Sequence, residues 1–143
     1  MTKALPAIVK LAERLMADIE IAVSRFPRRH RYTVGARLSD LAMEVAFTAH
    51  QAWRVTGPET LRALDESIGR LKLQLQLGQQ IHAFASFGQF ELLAKTAADL
   101  GKQCGGWQKR RNPKRQNAQE AQAPPAQSPQ ILSSHVASSE ANP

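Results

Sequence analysis

Side chains able to do chemistry are few in this chain, and their spacing is uninviting. Four histidines, His30, His50, His82 and His135, and the single cysteine Cys104 have no mutual spacing that suits a metal site. Glu44 and His50 are six residues apart, which puts them on different faces of a helix. No Walker loop, no G-x-G-x-x-G and no G-x-S-x-G occurs. Cys104 continues an apolar helical stripe, the place of a buried structural thiol rather than a nucleophile. His82 falls in register with Leu71, Leu75 and Gly78 and reads as a core or interface histidine before a base. These features point away from an enzyme and imply neither a metal nor a cofactor.

What remains is a concentration of charge. The stretch from Phe26 to Leu38, F-P-R-R-H-R-Y-T-V-G-A-R-L, follows Arg25 and carries Arg28, Arg29, Arg31 and Arg37, with His30 and Tyr32 among them. Pro27 breaks the preceding helix, because its ring fixes φ and removes a backbone donor. Apolar periodicity restarts at Val34 and Leu38. This is an arginine-rich elbow, either a solvated loop or a phosphate-binding surface.

Composition tilts the choice. The 143 residues hold 19 Lys and Arg against 12 Asp and Glu, a net charge of +7, with a pI near 10.2. Such a balance favours an anionic partner, nucleic acid first and an anionic membrane surface second. One cysteine allows no internal disulfide. The residues before Pro6 lack the apolar region of a signal peptide, and no apolar run reaches the roughly 18 residues that would span a membrane. A cytoplasmic setting is expected.

The elements that must position the elbow are helical. Leu5, Ile8, Leu11, Leu15, Ile19 and Val23 recur at steps of three or four, which predicts a first amphipathic helix over about 5–23. A second is expected over about 32–55, with Val34, Leu38, Leu41, Val45, Ala49 and Ala52 on one face and Met43 and Phe47 roughly opposite. Thr56 and Glu59 have capping-box spacing around Gly57-Pro58. A third is expected over about 59–84. Its Leu71, Leu73, Leu75 and Leu77 alternate like a strand, yet leucine, glutamine and lysine favour helix and the segment is long for a strand. Leu61, Leu64, Ile68, Leu71 and Leu75 form one face; Leu73, Leu77 and Phe84 form a second. A helix with two apolar faces predicts a subunit interface, the alternative being a wide stripe in a monomer. After a turn at Ser86-Phe87-Gly88, Phe90, Leu93, Ala97, Leu100, Cys104 and Trp107 mark a fourth helix, whose register passes through Gly105 and Gly106. Those glycines suggest close approach of another backbone under Trp107, or else a frayed end.

Beyond Trp107 the composition changes. Lys109, Arg110, Arg111, Lys114 and Arg115 form a basic run, and the rest is rich in Gln, Ala, Pro and Ser. The expected organisation is a four-helix bundle over 1–107, a basic extension over 108–115, and a disordered tail over 116–143. Short connections imply an antiparallel up-down, all-α bundle with the elbow at one end. Without a groove-reading helix, contacts to nucleic acid would be to the backbone and salt-dependent.

Two motifs carry a family resemblance. The elbow resembles the connection between the first two helices of the accessory variability determinant proteins of diversity-generating retroelements, where a proline, basic residues, an arginine, an aromatic and a glycine enter the second helix. Leu100-Gly101 with Gly105-Gly106-Trp107 resembles that family's closing L-G-x-x-x-G-G-W, with Gln103-Cys104 in place of a more apolar pair. The similarity spans about residues 5 to 110. It extends more distantly to the four-helix proteins encoded in 23S ribosomal RNA intervening sequences.

The resemblance implies a homopentameric barrel. It implies a non-catalytic partner of the retroelement's reverse transcriptase that binds RNA and DNA in support of mutagenic reverse transcription. By position, Arg28, Arg29, Arg31 and Arg37 match the family's basic sites. The expected nucleic-acid-binding set is Arg25, Arg28, Arg29, Arg31, Arg37, Lys109, Arg110, Arg111, Lys114 and Arg115, and the expected oligomer interface is Leu73, Leu77, Phe84 and Trp107. The other readings are a stand-alone oligomeric nucleic-acid-binding protein of the intervening-sequence type and a peripheral membrane protein. The tail has no aromatic and a single leucine, Leu132, too few anchors for the membrane reading, so no membrane partner is expected.

Overall fold

Four long helices follow one another with short connections in the computed structural model, which describes residues 5–111. They are α1 (Ala7–Ser24), α3 (Ala36–Arg54), α4 (Pro58–Gln80) and α5 (Phe87–Arg111). Between α1 and α3 lie a single turn, α2 (Arg28–His30), and a π-helical turn over Arg31–Gly35. Each long helix packs on its neighbours in sequence, and α5 closes the ring against α1. Cross-helix contacts fix the directions. Glu13 meets His50 while Val23 lies against Gly35, so α1 and α3 run antiparallel. Thr48 meets Ser67 while Val34 lies against Gly78, and Cys104 meets Leu61 while Gly101 lies against Ile68. The fold is all-α, a four-helix up-down bundle.

The apolar stripes read from the sequence form its core. Leu15 and Ile19, Leu38 and Val45, Leu64, Ile68, Leu71 and Leu75, and Leu100 with Cys104 are all buried. Each such leucine contributes roughly 1.5–3 kcal/mol by leaving water. Thr48 and Ser67 are the buried polar side chains, and they satisfy each other across α3 and α4 at 2.8 Å.

Several boundaries differ from expectation, each for a local reason. The third helix stops at Gln80, not Phe84. His82 takes a left-handed conformation (φ 58) and donates its N–H to the Gln79 carbonyl, while the Ala83 N–H reaches back to Gly78. That pair of bonds is a Schellman stop, here with histidine where glycine is usual. His82 is exposed, so the expected core or interface histidine is a helix terminator instead. At the start of α4 the capping residues are Gly57 and Thr60, not Thr56 and Glu59. The Gly57 N–H donates to Thr60 Oγ1 at 3.0 Å, while Thr56 Oγ1 donates back to Ala52. Ser86 caps α5 by accepting the Gln89 N–H at 3.1 Å, which leaves Phe87 and Gly88 inside the first turn. The C-terminal end of α5 passes through both glycines and continues to Arg111, so Lys109, Arg110 and Arg111 form its last turn rather than an extension.

Candidate nucleic-acid interface

The elbow is built around Phe26. Its ring is 1 % exposed and meets Phe84 edge-on, with centroids 5.0 Å apart; Phe84 in turn meets Phe90 at 5.6 Å. Two aromatics from the two connections at this end and a third from the first turn of α5 thus plug one end of the bundle. Phe84 is therefore no member of an outward-facing interface. Helix α4 has already ended when the chain turns it inward, and it belongs to the core of its own bundle.

Gly35 lets the chain turn tightly over this plug. A Cβ there would lie 2.8 Å from Val23 Cγ1 and 3.2 Å from the His30 carbonyl oxygen, closer than packing allows. Gly78 has the same role below, where a Cβ would lie 3.0 Å from the Phe84 ring. The glycine of the R-Y-T-V-G segment thus has a steric cause in the approach of α1 to the π-helical turn.

Around this apolar plug the arginines divide. Arg25, Arg28, Arg29 and Arg37 are exposed. Arg31 is partly buried; it donates from its guanidinium to the Phe26 carbonyl at 3.3 Å, and its Nε is buried without a partner among the described residues. Arg31 therefore braces the turn, a structural use that the sequence does not distinguish from its neighbours. Arg29 Nε donates to His30 Nε2 at 3.1 Å, and Tyr32 stands 71 % exposed beside them.

Carboxylates are missing from the chain that forms this end. Neither the stretch from 21 to 39 nor that from 67 to 90 contains Asp or Glu. Among the described residues the ion pairs are His50–Glu13, at 2.7 Å between α1 and α3, and Lys95–Glu91 along α5. None of the elbow arginines is neutralised by such a pair. An array of exposed guanidiniums without internal counter-ions suits phosphate oxygens, because each can form two parallel charge-assisted hydrogen bonds.

The basic run after Trp107 lies elsewhere. Arg111 donates to the Thr56 carbonyl at 3.1 Å, which ties it to the α3–α4 turn at the opposite end of the bundle. Helix α4 alone has 23 residues, so the two basic groups are separated by ~35 Å at about 1.5 Å per residue. Residues expected as one binding set thus form two. Lys114 and Arg115 lie outside the described residues.

Of the expected interface residues, Leu73 and Leu77 are 56 % and 43 % exposed and point away from the core. Trp107 packs partly against its own bundle. Among the described residues no second backbone approaches the glycines before it: a Cβ on Gly105 would meet nothing within 4 Å, and one on Gly106 only the Arg110 guanidinium at 3.6 Å. Cys104 is fully buried, its thiol directed at the Leu61 carbonyl, and burial with the Asp65 carboxylate raises its pKa to about 11. Its thiol is therefore protonated at neutral pH and unsuited to nucleophilic attack. The partner of His50 is Glu13, 37 residues away, and no local pattern could have announced it. Among the described residues no three His, Cys, Asp or Glu side chains converge, and no helix is long and apolar enough to cross a membrane.

Comparison with protein-family models, with curated proteins and with solved structures gives no match.

Proposed function

We propose that this chain is a non-catalytic nucleic-acid-binding accessory protein that holds the phosphate backbone of RNA or DNA at the elbow end of its bundle. The observation that carries this is the set of four exposed arginines on an end whose chain segments contain no carboxylate. Contacts of this kind are largely indifferent to sequence and weaken steeply with salt as counterions are no longer released.

The elbow and closing motifs support placing the protein with the accessory variability determinants of diversity-generating retroelements. In that role it acts in the cytoplasm, binds the element's reverse transcriptase, and assists mutagenic copying of template RNA into cDNA. Assembly into a homopentamer through Leu73 and Leu77 would repeat the arginine end and multiply its field. The exposed Leu73 and Leu77 support self-association; the number five rests on the resemblance alone.

Replacing Arg25, Arg28 and Arg29 by glutamine tests the proposal while sparing Arg31, which braces the turn. Binding of single-stranded RNA at low salt should weaken about ten-fold or more, with mass by light scattering unchanged. Undiminished binding would overturn the elbow assignment. Failure of the protein to retain a co-expressed reverse transcriptase of such an element would remove the retroelement role and leave the binding activity.

A further inference from the structure

A second site lies at the other end of the bundle, between the start of α1 and the last turns of α5. It is a groove of about 550 Å³, within the range of small-ligand pockets. Pro6 and Ile8 line one wall and Trp107 the other, with Lys102 and Arg110 at its rim. Among the described residues no carboxylate lines it.

The sequence around Trp107 is costly unless the groove has a use. Two consecutive glycines weaken a helix interior, and neither is required by packing among the described residues. The space left by the missing side chain of Gly106 is taken by the Arg110 guanidinium, which a Cβ there would approach at 3.6 Å. That is ordinary contact, and it sets a cation beside an indole that is only partly covered. An aromatic wall flanked by two cations and no anion suits a planar ring that carries phosphate. Bases stack on such walls whatever their identity, while nearby cations hold the backbone.

We infer that the Trp107 groove takes a base of single-stranded nucleic acid by stacking, with Lys102 and Arg110 on the adjacent phosphates. This rests on the proposal that the protein binds nucleic acid, and it assigns a different element of the ligand to a different end of the molecule. The elbow takes backbone alone; the groove takes a base.

The test uses the full chain with Trp53→Phe, so that Trp107 is the sole tryptophan, excited selectively over Tyr32. A deoxythymidine oligomer of about ten nucleotides, comparable to the span of an OB-fold site, is titrated beside an abasic strand of equal length. The thymidine strand should quench Trp107 and the abasic strand should not. By anisotropy of a labelled strand, Trp107→Ala should weaken binding of the thymidine strand ~10-fold and leave the abasic strand unaffected. Lys102→Gln with Arg110→Gln, which leaves the ring in place, should weaken both strands. Quenching should persist at saturating strand when Arg25, Arg28 and Arg29 are glutamine. Equal quenching by the abasic strand, or bound thymidine strand with no change in Trp107 emission, would overturn the base site. So would quenching by anionic phosphatidylglycerol vesicles in place of the thymidine strand. If instead the elbow variant binds as tightly as the parent and Trp107 still reports the base, the elbow fails and the groove stands.

Discussion

The two ends of this bundle are both basic, and they are built in opposite ways. At the elbow end the aromatic plug of Phe26, Phe84 and Phe90 closes the core, two glycines permit close crossing, and the cations stand outside, in no ion pair among the described residues. At the other end Trp53 and Trp107 pack against the core without being fully buried. Trp107 is partly covered, a groove remains beside it, and Arg111 is occupied with the Thr56 carbonyl. Charge alone therefore does not mark a binding surface. A plugged end that carries four exposed guanidiniums differs from a helix end where Arg111 is held by a carbonyl and the remaining cations border a groove.

The sharpest way to break this contrast is to remove the plug. Phe26→Ala should destabilise the fold by about 3–5 kcal/mol, measured by chemical denaturation, whereas Trp107→Ala should cost clearly less because its ring is only partly buried. Equal losses would mean that the ends are closed alike. Gly35→Ala should follow at about 1–3 kcal/mol, since its Cβ has no room beside Val23 and the His30 carbonyl. The opposite sign is expected at His82. Its left-handed backbone costs roughly 1 kcal/mol, so His82→Gly should raise the melting temperature slightly.

A smaller effect involves the thiol near the groove end. Cys104 has its pKa raised from 9.0 to about 11 in the folded protein, so the unfolded chain releases this proton first. The folded state is then favoured fully below about pH 9 and loses that advantage as pH rises through 11. Stability of the parent should fall across that window with a steeper slope than that of Cys104→Ala, as read from denaturation midpoints.

The four helices and their inward faces were legible because periodicity reports burial directly: Leu15, Val45, Ile68 and Leu100 all fall where their spacing puts them. The ends were less legible. Phe84 continued an apparent helical face, but the histidine stop before it redirects the chain, and a left-handed histidine leaves no periodic trace. Arg31 looked equivalent to its neighbours, since only the folded turn brings the Phe26 carbonyl within its reach. The separation of the basic run near Arg111 from the elbow was within reach of the sequence, since four helices in up-down order finish the last at the end opposite the first connection, where Arg111 meets Thr56. By contrast, the groove at Trp107 is lined from the start of α1 and the end of α5 and could not be seen from either alone.

One titration separates the two ends most directly. Affinity for a single-stranded RNA is measured over a range of salt for the parent, for Arg25, Arg28 and Arg29 changed to glutamine, and for Lys109, Arg110 and Arg111 changed to glutamine. The elbow triple should lower the slope of log affinity against log salt by about 2, with each lost contact worth ~0.7. The other triple should lower it by only ~0.7, because of its three cations the groove sets Arg110 alone on a phosphate and Arg111 is held by Thr56. Equal slopes for the parent and the elbow triple, with the loss confined to the α5 triple, would place the phosphate-binding surface at the wrong end and contradict the assignment.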